Sequence, residues 1–399
     1  MIRRKVIANI IFGVAVLLTA CSDGKREAPE SPQAGIDFTV ERAPEWTELF
    51  KRGDGWFGGD GIFAIPTNGQ ESGESDSVLF VFSDTMFGQI VDGKLQPGYT
   101  MLNNSVMILR GEEADPEKAS FLVSEKDGQP NTLFVPQTPE RGKDDYYWLG
   151  DGFVNTSGDR TMYIFAYRIR NTDDGSAFPF VEVGNSLIAI PKGDTYPFSG
   201  HRQLDLPFSN KADSLSTSFG VGVTTDQESS DGYIYVYGVR GKSKELVAAR
   251  VKPNAVEQFS SWEFFNGNGW GENPESARAI SDSVSNELSV SPIGNGKFAL
   301  VYQYAGLMPT IYMQIGESPV GPFGPRLKVW NTADDIKEPE LFTYNAKAHP
   351  AISKPGELLV SYNVNSFKFH EVIESMPNLY RPRFIRILFN DGTSQKPSN

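Results

Sequence analysis

The sequence predicts an all-β protein, a five-bladed β-propeller with a central channel, and two observations carry that expectation. The first is a repeat. Five segments can be laid over one another: "SVLFVFSDT" (77–85), "TMYIFAYRI" (161–169), "GYIYVYGVR" (232–240), "KFALVYQYA" (297–305) and "ELLVSYNVN" (357–365). Each is rich in aromatic and β-branched side chains and follows turn residues, as a strand does. The second is a more polar, strand-like partner upstream of each, headed by Asp60, Asp151, Phe219, Glu287 and His349. The heads lie 91, 68, 68 and 62 residues apart. A period of about 70 residues built from hairpins fits propeller blades better than a solenoid. A Greek-key sandwich pair is the other architecture open to this pattern.

The chain begins with Arg3, Arg4 and Lys5, continues through the apolar run Val6–Ala20, and reaches Leu18-Thr19-Ala20-Cys21. That is the layout of a lipoprotein signal peptide with its lipobox, and the run is too short to span a bilayer. Cys21 is the only cysteine, so it forms no intrachain disulfide and is the expected lipidation site. The expected organisation is a signal peptide over 1–20, a flexible tether over 21–40 and one propeller domain over 41–395. The address is extracytoplasmic and membrane-anchored, with the outer membrane of a Gram-negative bacterium favoured. Removing Met1–Ala20 takes three of the 37 basic residues away against 50 acidic ones, leaving a net charge of −16. Such a surface disfavours nucleic acid and anionic membranes, which leaves the lipid as the sole membrane contact. It suits a neutral partner such as a polysaccharide or oligosaccharide.

In an antiparallel hairpin the start of the first strand and the end of the second lie at one end. Asp60, in "WFGGDGIFAIP" (56–66), opens the first hairpin and Asp84 closes it, so both belong on one rim. The surrounding glycines leave Asp60 little cover, which suits a closely approaching ligand. By the same geometry Asp151, Glu287 and His349 converge there, and Tyr167, Arg168, Arg240, Tyr304, Asn363 and Asn365 end second strands at that rim. Paired carboxyls ringed by aromatics, amides and arginines suit glycosidic-bond cleavage, one protonating the leaving oxygen and the other attacking or activating water. Each residue also has a plainer reading. Asp84 and Asp151 suit turn positions, Glu287 a buried acceptor and His349 a structural hydrogen bond. Trp56, Trp148 and Trp270 suit either sugar stacking or packing between blades. "NTDDGS" (171–176) lacks the ligand alternation of an EF-hand and reads as a turn.

Taken in order, "RGDGWFGGDGIFAIP", "LFVFSDTMFG", "NNSVMI", "YYWLGDGF", "YIYVYG", "NELSV", "YNAKAHPAIS" and "LLVSYNVNS" resemble the bacterial families of unknown function numbered 4185 and 5005. The resemblance runs from Trp46 to Phe389. It implies a five-bladed propeller akin to glycoside hydrolase families 43 and 62, with some relatives placed in family 183 as endo-acting D-arabinan hydrolases. Carried over, it implies that Asp60 and Asp84 are the catalytic pair, with Asp151 and Glu287 as pKa modulators or substrate ligands. His349 resembles a channel histidine that helps hold a water or cation, so a structural Ca2+ in the channel is an open expectation beside a reaction needing no cofactor. "SFGVGV" stands where family 43 has its catalytic glutamate, so that family's roles do not transfer. The expected function is a surface-tethered glycoside hydrolase acting on a furanose-containing, arabinan- or arabinogalactan-like polysaccharide. The alternative is a non-catalytic glycan-binding lipoprotein on the same fold.

Overall fold

The computed structural model of the protein describes residues 36–71, 75–172, 175, 179–208 and 216–390. Cys21, the signal peptide and most of the expected tether lie outside the described residues, as do part of "NTDDGS" and residues 391–395 of the expected domain. The chain is all-β, with two short helices, Pro44–Leu49 and Phe369–Ser375. No helix among the described residues is long and apolar enough to cross a membrane.

Seven antiparallel sheets lie among the described residues, and five of them, called sheets one to five, follow one another along the chain. Sheet one runs Phe63–Pro66, Ser77–Phe82, Ser105–Arg110, Ala119–Leu122, and sheet two runs Tyr146–Val154, Met162–Asn171, Phe180–Ile190, Arg202–Asp205. Sheet three runs from Thr217–Thr224 through Ile234–Arg240 and Glu245–Val251 to two short outer strands, and sheet four from Leu288–Pro292 through Phe298–Gln303 and Thr310–Gly316 to Leu327–Asn331. Sheet five is composite: Leu341–Ala348, Glu357–Ser366 and Arg383–Phe389 are completed by the N-terminal strand Phe38–Arg42, whose Phe38 pairs with Phe389. That strand begins inside the stretch expected to be tether, because Phe38 and Val40 have an apolar core to pack against. All five second-strand segments read from the sequence are strands. They are buried on both faces, with Val78–Phe82 and Leu358–Val364 fully enclosed, so they read as near-continuous apolar runs.

The first strands of successive sheets pack side by side, and single hydrogen bonds join them. Ser83 Oγ bonds both the N–H (3.0 Å) and the C=O (3.2 Å) of Leu149, the Val223 N–H donates to Asp151 Oδ2 at 2.7 Å, Thr224 Oγ1 donates to the Val290 carbonyl at 2.7 Å, and the Ala348 N–H donates to Ser289 Oγ at 2.9 Å. Two first strands bulge where they face the middle, between Leu149 and Gly152 and between Phe219 and Gly222. A third bulge, between Tyr344 and Lys347, puts Asn345 at a φ of 58°. A bulge re-aims side chains, and each lies beside a residue of the site below.

One expected strand is absent. "HPAISKPG" from His349 is a 3₁₀ turn over Pro350–Ile352 rather than the head of sheet five, whose first strand ends at Ala348. Pro350 has no N–H to give a ladder, and its fixed φ starts the turn.

The glycines around Asp60 serve packing, not ligand clearance. A Cβ on Gly58 would lie 2.2 Å from the Tyr380 carbonyl oxygen, and one on Gly61, at φ 61°, would lie 2.3 Å from Ser83 Oγ. Gly59 donates its N–H to the same Tyr380 carbonyl at 2.7 Å, so the chain passes backbone against backbone here. Gly58→Ala therefore loses roughly 1–3 kcal/mol by overpacking. Urea unfolding checks it, a lowered midpoint at unchanged m being the expected result.

Candidate active site

The antiparallel geometry brings Asp60 and Asp84 together. The Asp60 N–H donates to the Asp84 carbonyl at 3.2 Å and the Ser83 N–H donates to the Asp60 carbonyl at 2.8 Å. From this clasp a second ladder, Asp54–Gly59 with Thr85–Val91, continues away from sheet one. Both residues are intermediate in exposure, while their carboxyls lie on the buried side.

Their surroundings differ. The Tyr344 phenol donates to Asp60 Oδ2 at 2.6 Å, Asn365 Nδ2 donates to Tyr344 Oη at 3.4 Å, and the Tyr380 phenol is a second donor to Asp60. Burial raises the Asp60 carboxyl above its ordinary value, while the two phenols and the Lys347 ammonium restrain the rise. Asp84 accepts one bond, from Trp148 Nε1 at 2.8 Å. Burial and the neighbouring charge of Asp60 push its carboxyl up to about 8, with the Trp148 bond opposing. Trp148 is held edge-on by Phe180, with ring centroids 4.7 Å apart.

Glu287 faces Asp60 from sheet four. It is only 7% exposed, accepts from Asn345 Nδ2 at 2.7 Å and forms an ion pair with Lys347 Nζ. Burial pushes its carboxyl to about 6 against the pull of Lys347. Asp151 sits in the first bulge, accepting from the N–H groups of Gly152 (2.9 Å) and Val223 (2.7 Å), and burial pushes it to about 7. Tyr167 Oη, a buried hydroxyl with no partner, feels the charges of both Glu287 and Asp151.

The other expected site residues are engaged elsewhere. His349 is 2% exposed, its Nε2 is 2.7 Å from Ser361 Oγ, and burial and Lys347 hold its pKa well below the usual histidine value. It lines a narrow cavity with Glu71, Asp151 and Glu228, just beyond the end of the strand that carries Tyr344 near its middle. Arg168 is buried and spends its charge within sheet two and the loop before it, on Asp205 (2.7 Å), Thr138 (2.9 Å) and Asp145 (3.7 Å). Arg240 bonds Glu245 at 2.7 Å and the Ala277 carbonyl at 2.8 Å. Tyr304 packs edge-on against Tyr312 and under Arg326. Trp270 lies on the outermost strand of sheet three beneath Arg250. Trp56, 1% exposed, is core, enclosed by Phe50, Phe82 and Phe121, and is no sugar platform. Asn363 is buried, with Nδ2 3.4 Å from the Gly59 carbonyl, and steadies the backbone leading into Asp60. Trp148 and Asn365 do reach the pair, the first directly and the second through Tyr344.

Four residues at the site were not foreseen: Tyr344, Asn345, Lys347 and Tyr380. Three belong to "TYNAKA", where polar residues interrupt an apolar strand; that interruption is the sequence signal of a strand facing a polar cluster. No group of three or more His, Cys, Asp or Glu side chains among the described residues is placed to hold a metal, and the ammonium of Lys347 already supplies a cation to Glu287.

The profile of a family described as a domain of unknown function, DUF5005, matches residues 44–390. The chain belongs to the DUF5005 family. No curated relative matches it. Among solved structures, this DUF5005 chain is similar to a provisionally assigned hydrolase from Bacteroides ovatus, at 18% identity and a TM-score of 0.66, covering 90% of this chain and 97% of that one. It is also similar to an α-L-arabinofuranosidase from Clostridium thermocellum, at 13% identity and a TM-score of 0.45, covering 89% and 96%. An exo-β-1,3-galactanase from Phanerochaete chrysosporium, solved with β-1,3-galactotriose, matches at 11% identity and a TM-score of 0.43, with 82% of this chain covering 60% of that one. At 18% identity the likeness to the Bacteroides ovatus structure speaks to fold alone.

Proposed function

We propose that this DUF5005 protein is a glycoside hydrolase acting on a neutral, furanose-containing polysaccharide of the arabinan or arabinogalactan kind. Its five sheets are then the blades of a propeller, with Asp60 and Asp84 at the channel mouth. The observation that carries the reading is the inequality of two clasped carboxyls: Asp84 is pushed to about 8 with a single donor, while Asp60 is held by two phenols. Near neutrality Asp84 keeps its proton and gives it to the leaving glycosidic oxygen. Asp60 is the carboxylate that attacks the anomeric carbon or activates water. Glu287, tied to Lys347, is an electrostatic modulator rather than a proton donor, and Asp151 tunes the same field. The substrate class rests on charge: the acidic chain and its carboxylate-rich site repel uronate and sulfated glycans. The reading extends to the anchor: Cys21 carries a lipid that holds the hydrolase at the outer membrane, outside the cytoplasm, an address that rests on the signal peptide alone.

The test is to incubate the chain lacking Met1–Cys21 with arabinans, arabinogalactans, galactans and xylans and chromatograph the products beside Asp60→Asn. Oligosaccharides released by the wild type alone are the expected result. Retention of a glycan with no release overturns hydrolysis and leaves a binding protein.

A further inference from the structure

A row of aromatic rings leads from solvent to Asp60. Tyr344, whose phenol bonds Asp60, and Phe342 are two apart on the first strand of sheet five and so share a face. Their ring centroids are 5.6 Å apart. Phe342 in turn packs against Phe367, centroids 4.5 Å apart at an interplanar angle of 34°. Phe367 follows the paired strand Glu357–Ser366 and is 62% exposed, the highest value among the exposed large hydrophobic residues of the described chain. Asn365, paired across from Phe342, directs its amide at the Tyr344 hydroxyl and ties the row to the same sheet.

Leaving a phenylalanine this open beside a second ring costs apolar surface in water. One exposed ring pair is far smaller than the roughly 800 Å² per partner of a stable protein interface. It does match the apolar C–H face of a sugar ring, which seats on the electron-rich face of an aromatic ring. The row also continues directly into the clasped carboxylates.

We infer that Phe342 and Phe367 form a sugar-binding ledge that holds a unit of the chain beyond those flanking the cleaved bond. This rests on the hydrolase reading above. The ledge makes the enzyme select for chain length: a short oligosaccharide spans the carboxylates alone, whereas a longer one also stacks on Phe367. It acts in binding, away from the reacting atoms.

The experiment uses arabino- and galacto-oligosaccharides from dimer to hexamer. Cleavage is measured for wild type, Phe367→Ala and Phe367→Trp, and binding by calorimetry in an Asp84→Asn background. The expected result is a kcat/KM that rises with length in the wild type and flattens in Phe367→Ala, with hexamer affinity about tenfold weaker. Phe367→Trp restores both. A length dependence that survives Phe367→Ala, or an equal loss at every length, overturns the ledge while leaving the hydrolase reading standing. If the wild type neither binds nor cleaves any glycan, the hydrolase reading falls and the ledge falls with it.

Discussion

Asp84→Asn abolishes turnover and at the same time makes the protein more stable above pH 8. The two effects share one cause. The Asp84 carboxyl is pushed to about 8 in the folded chain, against an ordinary unfolded value near 4. Between those values the native state holds a proton that the unfolded state has released, so stability falls as pH rises through the window. Above about 8 the folded protein bears the whole cost of a charged carboxylate beside Asp60. Asparagine removes that charge and still accepts the Trp148 hydrogen bond. It cannot give up a proton, so turnover drops by about 100-fold or more, the usual share of general acid catalysis. Thermal unfolding of wild type and variant across pH 4 to 9 reads the stability arm with no substrate needed. Curves that run parallel would remove the perturbed carboxyl from the account. On the proposed mechanism, activity is expected to decline on the alkaline side near pH 8, where Asp84 loses its proton.

Lys347→Met is the most damaging single substitution expected. Its ammonium is 1% exposed by side chain and pairs with Glu287, which is 9% exposed by side chain. Removing it leaves a buried carboxylate with Asn345 as its remaining partner, a loss of about 3–5 kcal/mol. The neighbouring Phe63 ring, 4.4 Å below the ammonium, cannot compensate. Without Lys347 the Glu287 carboxyl moves above its present value of about 6, because the cation now opposes the effect of burial. The defect is therefore smaller at pH 5, where Glu287 takes up a proton, than at pH 8. The double variant Lys347→Met, Glu287→Leu recovers most of the loss, since an apolar pair of similar volume needs no desolvation. Calorimetric unfolding of the three proteins at both pH values checks this, and a single variant as stable as wild type would show that Lys347 is not the counter-ion of the cluster.

Asp60 and Asp84 were legible because their meeting depends on local hairpin geometry alone. The start of one strand and the end of its partner coincide whatever the rest of the chain does, and the backbone bonds between them follow. The second strands were legible for a similar reason, since double-sided burial writes itself as an apolar run. Lys347 was not legible, because its partner Glu287 is 60 residues away on a different sheet. Arg168 and Arg240 end their strands near the level expected, but sequence does not say which neighbours will take their charge. Asp205, two strands along in the same sheet, and Glu245, on the adjacent strand, take it first. The sequence leaves Trp56 open between sugar stacking and packing and suggests ligand clearance for the glycines, whereas ring packing and backbone contact with Tyr380 claim them. His349 drew attention because histidine is rare in this chain, and rarity carries no information about burial.

The pairing of Phe38–Arg42 with Arg383–Phe389 sets the order in which the molecule can be finished. Residues 38–42 are hydrogen-bonded to residues 385–389, so more than three hundred residues are synthesised between the two strands before the earlier one meets its neighbour. Until then sheet five has a bare edge, and the newborn protein depends on the closing of one very long loop. Once closed, that seam runs along both ends of the chain at once. Because Phe38 lies opposite Phe389, the chain enters and leaves the seam at the same end, so a pull that separates residues 37 and 390 opens its ladder bonds one after another.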